Sequence, residues 1–101
     1  MLERQLSEGT LSVVVDIWAP WCGPCHAMAP EYEKATTTFE PRARFLKLNS
    51  DKEQAFASRL GIRGIPTMVV FKQGREVDRR VGAMSAQQIG EWLASWLDGP
   101  P

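Results

Sequence analysis

Cys22 and Cys25 are separated by two residues and are followed directly by the single histidine of the chain, His26. This spacing occurs in redox-active dithiols and also in the C-x-x-C-H sequence to which c-type haem is attached. The intervening Gly23 and Pro24 favour a turn that would bring the two sulfur atoms within bonding distance. The motif alone therefore leaves two chemistries open, thiol–disulfide exchange and haem attachment.

Haem and zinc both fit the rest of the sequence poorly. A haem would need a second axial ligand, for which Met68 and Met84 are candidates. Met68 lies within the apolar segment TMVVF, where a haem would displace the hydrophobic core. A structural zinc site normally takes four Cys and His ligands, and this chain has three such residues. We therefore expect no metal, and the dithiol is the favoured interpretation.

The composition indicates one small domain, residues 1–101, without an obvious charged partner. Twelve basic residues balance twelve acidic ones in scattered positions, so neither nucleic acid nor an anionic membrane is expected to bind. The apolar runs are shorter than the roughly 18 residues of a spanning helix, and no export signal is recognisable at the N-terminus. We expect a cytoplasmic protein, a setting in which a cysteine pair is more often catalytic or metal-binding than structural.

Hydrophobic patterning predicts the element order β-α-β-α-β-β-α. The first strand is apolar on both faces, as in a mostly parallel sheet, and Gln73-Gly74 forms the turn of an antiparallel hairpin. This order is typical of an α/β fold with a mixed sheet. The predicted strands are 13–18, 44–49, 67–72 and 75–81; the helices are 23–39, 52–60 and 85–97, the last with a core-facing stripe of Ile89, Trp92, Leu93, Trp96 and Leu97.

The predicted elements give the two cysteines different environments. Cys22 immediately precedes a helix, where free N–H groups and the helix dipole favour a thiolate, whereas Cys25 lies one turn later and is enclosed. Asp16 interrupts the apolar first strand, so its pKa should be raised or it should be paired. Lys47, in the second strand, is the candidate partner.

Four segments resemble the thioredoxin family over residues 13–97: VVVDIWAPWCGPC, KLNSD, GIRGIPTMVVFKQG and VGAMS. The resemblance implies the thioredoxin fold, a central sheet flanked by helices on both faces. It implies a protein-disulfide reductase that carries no cofactor besides a redox-active Cys22–Cys25 disulfide. The oxidised form would be re-reduced by a flavin-containing, NADPH-dependent thioredoxin reductase.

The same resemblance assigns roles to individual residues. Cys22 corresponds to the attacking cysteine, Cys25 to the resolving cysteine, Asp16 to a buried acid that transfers a proton, and Lys47 to the lysine that pairs with it. Pro66 corresponds to a cis-proline beside the dithiol. The residues expected to face the substrate are Trp21, Gly23, Pro24, Gly64, Ile65, Pro66 and Gly82.

The N-terminus and His26 depart from the family pattern. Twelve residues precede the first predicted strand, where the family normally has a further strand and a full helix. We expect a short helix with Leu2 and Leu6 facing inward, an N-terminally shortened domain without the usual first strand, and an exposed edge on strand 44–49. Such an edge invites pairing, so the protein should be a monomer or a weak dimer through it. His26 replaces a common lysine or arginine, with little expected effect.

A second function class is compatible with the same sequence. The chain could act as a redox-sensing or structural adaptor subunit that uses the fold without turnover. Reduction of a protein disulfide in repeated cycles distinguishes the two classes, because an adaptor need not turn over.

Overall fold

A computed structural model describes residues 11–97 of the chain. The predicted short helix with Leu2 and Leu6 lies outside the described residues, as does the C-terminal segment 98–101. The seven elements predicted within residues 11–97 are all present, with boundaries within two residues of those expected. The strands are β1 (Ser12–Trp18), β2 (Ala43–Asn49), β3 (Thr67–Lys72) and β4 (Arg75–Val81), and the helices are α1 (Gly23–Phe39), α2 (Gln54–Leu60) and α3 (Ala86–Leu97).

The four strands form one mixed sheet in the order β2-β1-β3-β4. Strand β1 runs parallel to β2 and antiparallel to β3, and β3 runs antiparallel to β4. The prediction of a mixed sheet is confirmed. The prediction from the apolar β1 that the sheet is mostly parallel is wrong, because two of the three strand pairs are antiparallel. Strand β1 is buried because it is central and covered by helices on both faces, and only one of its two neighbours is parallel.

Alternate residues of β1 face two separate hydrophobic clusters. Val13, Val15 and Ile17 pack with Phe56 of α2 on one face of the sheet. Val14 packs on the opposite face with buried side chains of α1 and α3, among them Met28, Tyr32, Ile89 and Leu93. Helices therefore cover both faces, as the thioredoxin fold implies.

The β3–β4 hairpin turns at Gln73 and Gly74, which both have positive φ angles of 52° and 79°. Two successive left-handed residues define the type I′ turn, whose twist matches that of the flanking strands. The hairpin is thus confirmed together with its turn positions.

Helix α3 is tied to β4 by a contact that its apolar stripe did not predict. The stripe packs as expected, with Ile89, Trp92 and Leu93 buried and two further members half-buried. In addition, the indole N–H groups of Trp92 and Trp96 both donate to Oδ2 of Asp78, at 2.8 and 3.0 Å. One carboxylate on the edge strand therefore fixes two aromatic side chains of the last helix.

The outer edge of β2 pairs with no other strand within residues 11–97. The predicted absence of a preceding strand concerns residues outside this range.

Candidate active site

The cysteine pair lies at the N-terminus of α1, as predicted. Cys22 is the N-cap residue, with φ −92° and ψ 107°, and its sulfur accepts a hydrogen bond of 3.2 Å from the backbone N–H of Cys25. Gly23 and Pro24 are the first helical residues, where a proline suits the helix because its missing N–H would have no intrahelical partner. The two sulfurs form a disulfide, with 5.3 Å between the Cα atoms.

Burial does not distinguish the two cysteines, but hydrogen bonding does. Cys22 is 4% exposed and Cys25 3%, and both belong to a small cluster with Ala19. The Sγ atom of Cys22 receives an N–H of the first helical turn and lies at the positive end of the helix dipole. After reduction, this arrangement stabilises a thiolate at Cys22 in preference to Cys25.

The loop that precedes β3 places the peptide groups of Ile65 beside the disulfide. The Ile65–Pro66 bond is cis, as the resemblance implied, and the Ile65 carbonyl oxygen lies 3.8 Å from Sγ of Cys22. Neither the N–H nor the C=O of Ile65 bonds to another backbone group of residues 11–97. The N–H of Gly82 donates to the carbonyl of Pro66 at 2.8 Å, which holds the loop in place. The Ile65 peptide groups are therefore available next to the sulfurs.

The surface around the disulfide is apolar and open. Trp21 is 71% exposed and Val81 66%, although exposed large hydrophobic side chains are rare in the rest of the described chain. A side chain at Gly64 would meet Val81 at 3.4 Å, and Gly82 has a φ of 103°. The loops thus bring together the residues predicted to face the substrate, namely Trp21, Gly23, Pro24, Gly64, Ile65, Pro66 and Gly82. Contiguous exposed apolar surface of this kind marks interaction sites.

Asp16 is a buried carboxylic acid without a hydrogen-bond partner. It is 1% exposed, and neither carboxylate oxygen has a partner among the described residues. Burial raises the pKa of Asp16 from 3.8 to about 6, and the positive charge of Lys47 opposes part of that rise. Asp16 shares a face of β1 with Val14, which packs against α1, the helix that carries Cys25.

The predicted pairing of Asp16 with Lys47 takes a different form from a hydrogen-bonded ion pair. The two residues are register partners in β1 and β2. Lys47 is exposed, however, and its ammonium lies over the ring of Trp18, 5.1 Å from the centroid. Lys47 thus acts on Asp16 through its electrostatic field and contacts Trp18 directly.

A groove of about 530 Å³ opens beside Trp21 and was not predicted. The indole N–H of Trp21 donates to both carboxylate oxygens of Asp51, at 3.1 and 3.3 Å, at the margin of this groove. Asp51 and Arg63 both lie in segments that resemble the family, KLNSD and GIRGIPTMVVFKQG, but neither was predicted as a site residue. The groove is lined by Trp21, Ser50, Gln54, Ala57, Ser58, Ile62, Arg63, Gly64 and Ile65.

His26 is exposed and closes the turn that precedes α1. Its Nε2 lies 2.7 Å from the carbonyl oxygen of Pro20, so this nitrogen must carry the proton that the carbonyl accepts. Its ring also meets Trp18 edge to face, with 6.1 Å between centroids. His26 is therefore a neighbour of the dithiol with a local hydrogen bond of its own.

No group of three or more His, Cys, Asp or Glu side chains in residues 11–97 could hold a metal ion. In the same part of the chain, no helix has the length and apolar character needed to cross a membrane.

Comparison with known proteins places these features in a family. The family model "Thioredoxin" matches residues 2–95. The chain belongs to the thioredoxin family. It is 41% identical to a thioredoxin of Synechocystis sp. over 95 residues, which cover 94% of this chain and 89% of the relative. It is 36% identical to a thioredoxin of Rickettsia bellii, with 90% and 87% covered.

Solved thioredoxin structures share the fold. The Plasmodium falciparum thioredoxin superimposes with a TM-score of 0.86 at 29% identity, covering 94% of this chain and 90% of the other. The Malassezia sympodialis thioredoxin gives 0.83 at 35% identity, with 91% and 80% covered. Together with the Cys22–Cys25 disulfide, this relationship identifies a thiol–disulfide oxidoreductase that acts on disulfides in proteins.

Proposed function

We propose that this thioredoxin reduces protein disulfides with Cys22 as the nucleophile and Cys25 as the resolving thiol. The Cys22 thiolate attacks one sulfur of the target disulfide, which forms a mixed disulfide and releases the other target sulfur as a thiolate. Cys25 then loses its proton and attacks Cys22, which closes the Cys22–Cys25 disulfide and releases the second target thiolate. The observation that carries this assignment is the hydrogen bond from the Cys25 N–H to Cys22 Sγ at the helix N-terminus.

Asp16 accepts the Cys25 proton in the second step. A buried carboxylate whose pKa is raised to about 6 is a competent base near neutral pH, and its oxygens have no competing partner among residues 11–97. Lys47 keeps that pKa from rising further. An Asp16→Asn variant should slow resolution of the mixed disulfide and remove its dependence on a group titrating near pH 6. An unchanged pH profile would contradict the proton-transfer role.

The substrate chain pairs with Ile65 as an added strand. Its free N–H and C=O groups lie beside Cys22, and main-chain hydrogen bonds of this kind bind an extended peptide with little regard to sequence. Trp21, Gly23, Pro24, Gly64 and Gly82 supply the surrounding surface, and the buried Pro66 holds the Ile65 peptide group in position through its cis bond.

The reducing equivalents come from an NADPH-dependent, flavin-containing thioredoxin reductase. Two electrons from that enzyme return the Cys22–Cys25 disulfide to the dithiol, so the chain itself needs no cofactor. The proposal includes a single domain over residues 1–101, located in the cytoplasm. The edge of β2, which pairs with no other strand within residues 11–97, supports a monomer or a weak dimer through that edge, and sedimentation over a range of concentrations distinguishes the two.

Turnover of insulin separates this function from an adaptor role. With NADPH and a thioredoxin reductase, the wild-type chain should reduce insulin disulfides in many cycles, and Cys22→Ser should abolish the reaction. Arg75→Gln, at the hairpin turn, is the matched surface control. Failure of chemically reduced wild-type protein to reduce insulin would favour the adaptor, whose partner binding would persist in Cys22→Ser.

A further inference from the structure

The groove beside Trp21 carries one charged side chain. Its lining is otherwise apolar or neutral, with Ala57, Ile62 and Ile65 next to small polar residues. Arg63 is exposed and has no hydrogen-bond, ion-pair or aromatic partner among residues 11–97. An unpaired guanidinium is therefore available to a molecule that enters the groove.

No carboxylate among residues 11–97 forms an ion pair with Arg63. Asp51, at the groove margin, is engaged by the Trp21 indole N–H through both carboxylate oxygens. Arg59 is on α2 and lies over the ring of Phe56. Among the lining residues, the Arg63 guanidinium is thus the group that a substrate carboxylate would meet.

Arg63 is also close in sequence to Ile65, a residue that lies beside the reacting sulfur. It is two residues from Ile65, whose carbonyl oxygen is 3.8 Å from Cys22 Sγ. Ile65 also lines the groove, whose volume is about 530 Å³, so the groove begins beside the path proposed for the substrate chain.

We infer that Arg63 is a specificity-determining residue that favours protein disulfides with an aspartate or glutamate near the attacked cysteine. The inference rests on the proposed path of the substrate along Ile65. A guanidinium binds a carboxylate in a planar, often bidentate arrangement. A lysine or arginine at the same substrate position would instead be repelled.

Paired disulfide peptides test this inference. The two peptides of a pair differ only in a Glu or a Lys, placed on the N-terminal side of the cysteine in one pair and on the C-terminal side in another. The readout is the ratio of the second-order rate constants for Glu and Lys peptides, measured with the chemically reduced full chain. Any general loss of folding or activity affects both peptides alike and cancels in this ratio.

In at least one pair, the wild-type chain should reduce the Glu peptide about two- to fivefold faster, as for an exposed ion pair. Arg63→Gln should bring the ratio to about one, Arg63→Glu should invert it, and Arg63→Lys should keep it above one. Arg75→Gln should retain the wild-type ratio. Raising the salt concentration from about 0.02 M to about 0.5 M should reduce the preference.

Two results would overturn the inference. One is an equal rate for Glu and Lys peptides in the wild type, which leaves the reductase function intact. The other is a wild-type ratio retained in Arg63→Glu. Failure of the wild-type chain to reduce any of the peptides would instead contradict the proposed function itself.

Discussion

Asp16 and Lys47 occupy paired positions on β1 and β2, yet no hydrogen bond joins them. The carboxylate is buried in the core, whereas the long lysine side chain extends over Trp18 and keeps its ammonium at the surface. Burial therefore opposes the ionisation of Asp16, and the positive charge of Lys47 offsets only part of that effect.

Asp16 should make the protein less stable as the pH rises. Its folded-state pKa of about 6 exceeds its usual value of 3.8, so the folded state binds more protons between these values. The contribution of Asp16 to the free energy of unfolding should be complete below the lower value and fall by about 3 kcal/mol as the pH rises through the upper one. Asp16→Asn should lack this fall. Urea unfolding of the oxidised protein across this range provides the measurement, and a variant with the wild-type slope would contradict the assignment.

Removing the Lys47 charge should raise the pKa of Asp16 further, because the ammonium is the group that lowers it. The Asp16 carboxyl of Lys47→Gln should therefore titrate at a higher pH than in the wild type, as followed by carbon NMR. Arg44→Gln is the matched control, since it removes a cation from the opposite face of the same strand. Equal shifts in the two variants would show that only net charge matters.

Asp78 should show the opposite pH dependence. Hydrogen bonds from Trp92 and Trp96, together with Arg80, lower its pKa, so its contribution to stability is complete above the unfolded-state pKa. That contribution is lost as the pH falls through the folded-state pKa. Asp78→Ala should destabilise the protein by about 1–3 kcal/mol at neutral pH, because two indole N–H groups lose their acceptor.

Arg80→Gln is the control for the Asp78 contact. It removes an exposed ion pair and a cation–π contact with the Trp92 ring but leaves both indole hydrogen bonds, so it should cost less than Asp78→Ala. Thermal unfolding of both variants distinguishes the contributions. Equal losses would mean that the indole hydrogen bonds add nothing.

Most of the fold could be predicted because its determinants are local. The apolar β1, the turn at Gln73-Gly74 and the stripe of α3 each follow from short-range patterns of hydrophobicity and turn chemistry. The prediction that β1 has parallel neighbours on both sides was wrong. Burial on both faces depends on the helices that cover the sheet and does not depend on the direction of the neighbouring strands. The hydrogen bonds from Trp92 and Trp96 to Asp78 join α3 to β4, which meet only in the folded protein, so no local sequence pattern predicts them.

The residues of the site likewise fall into those that the sequence could predict and those that it could not. Cys22, Cys25 and Pro66 lie in a compact motif and a matching loop, so their proximity could be expected. The position of the Lys47 ammonium over Trp18 depends on side-chain conformation at a sheet edge. The Trp21–Asp51 hydrogen bond and the groove with Arg63 arise where separate loops meet, which a sequence pattern does not encode.

Trapping of the mixed disulfide tests directly whether Cys22 is the attacking thiol and Cys25 the resolving one. Reduced Cys25→Ser protein is mixed with insulin, and the adducts are mapped by mass spectrometry, with reduced Cys22→Ser as the matched variant. A mixed disulfide should accumulate at Cys22 in the first variant, because the resolving thiol is missing, and little should form at Cys25 in the second. Equal adduct at Cys25 in Cys22→Ser, or none in Cys25→Ser, would contradict this assignment.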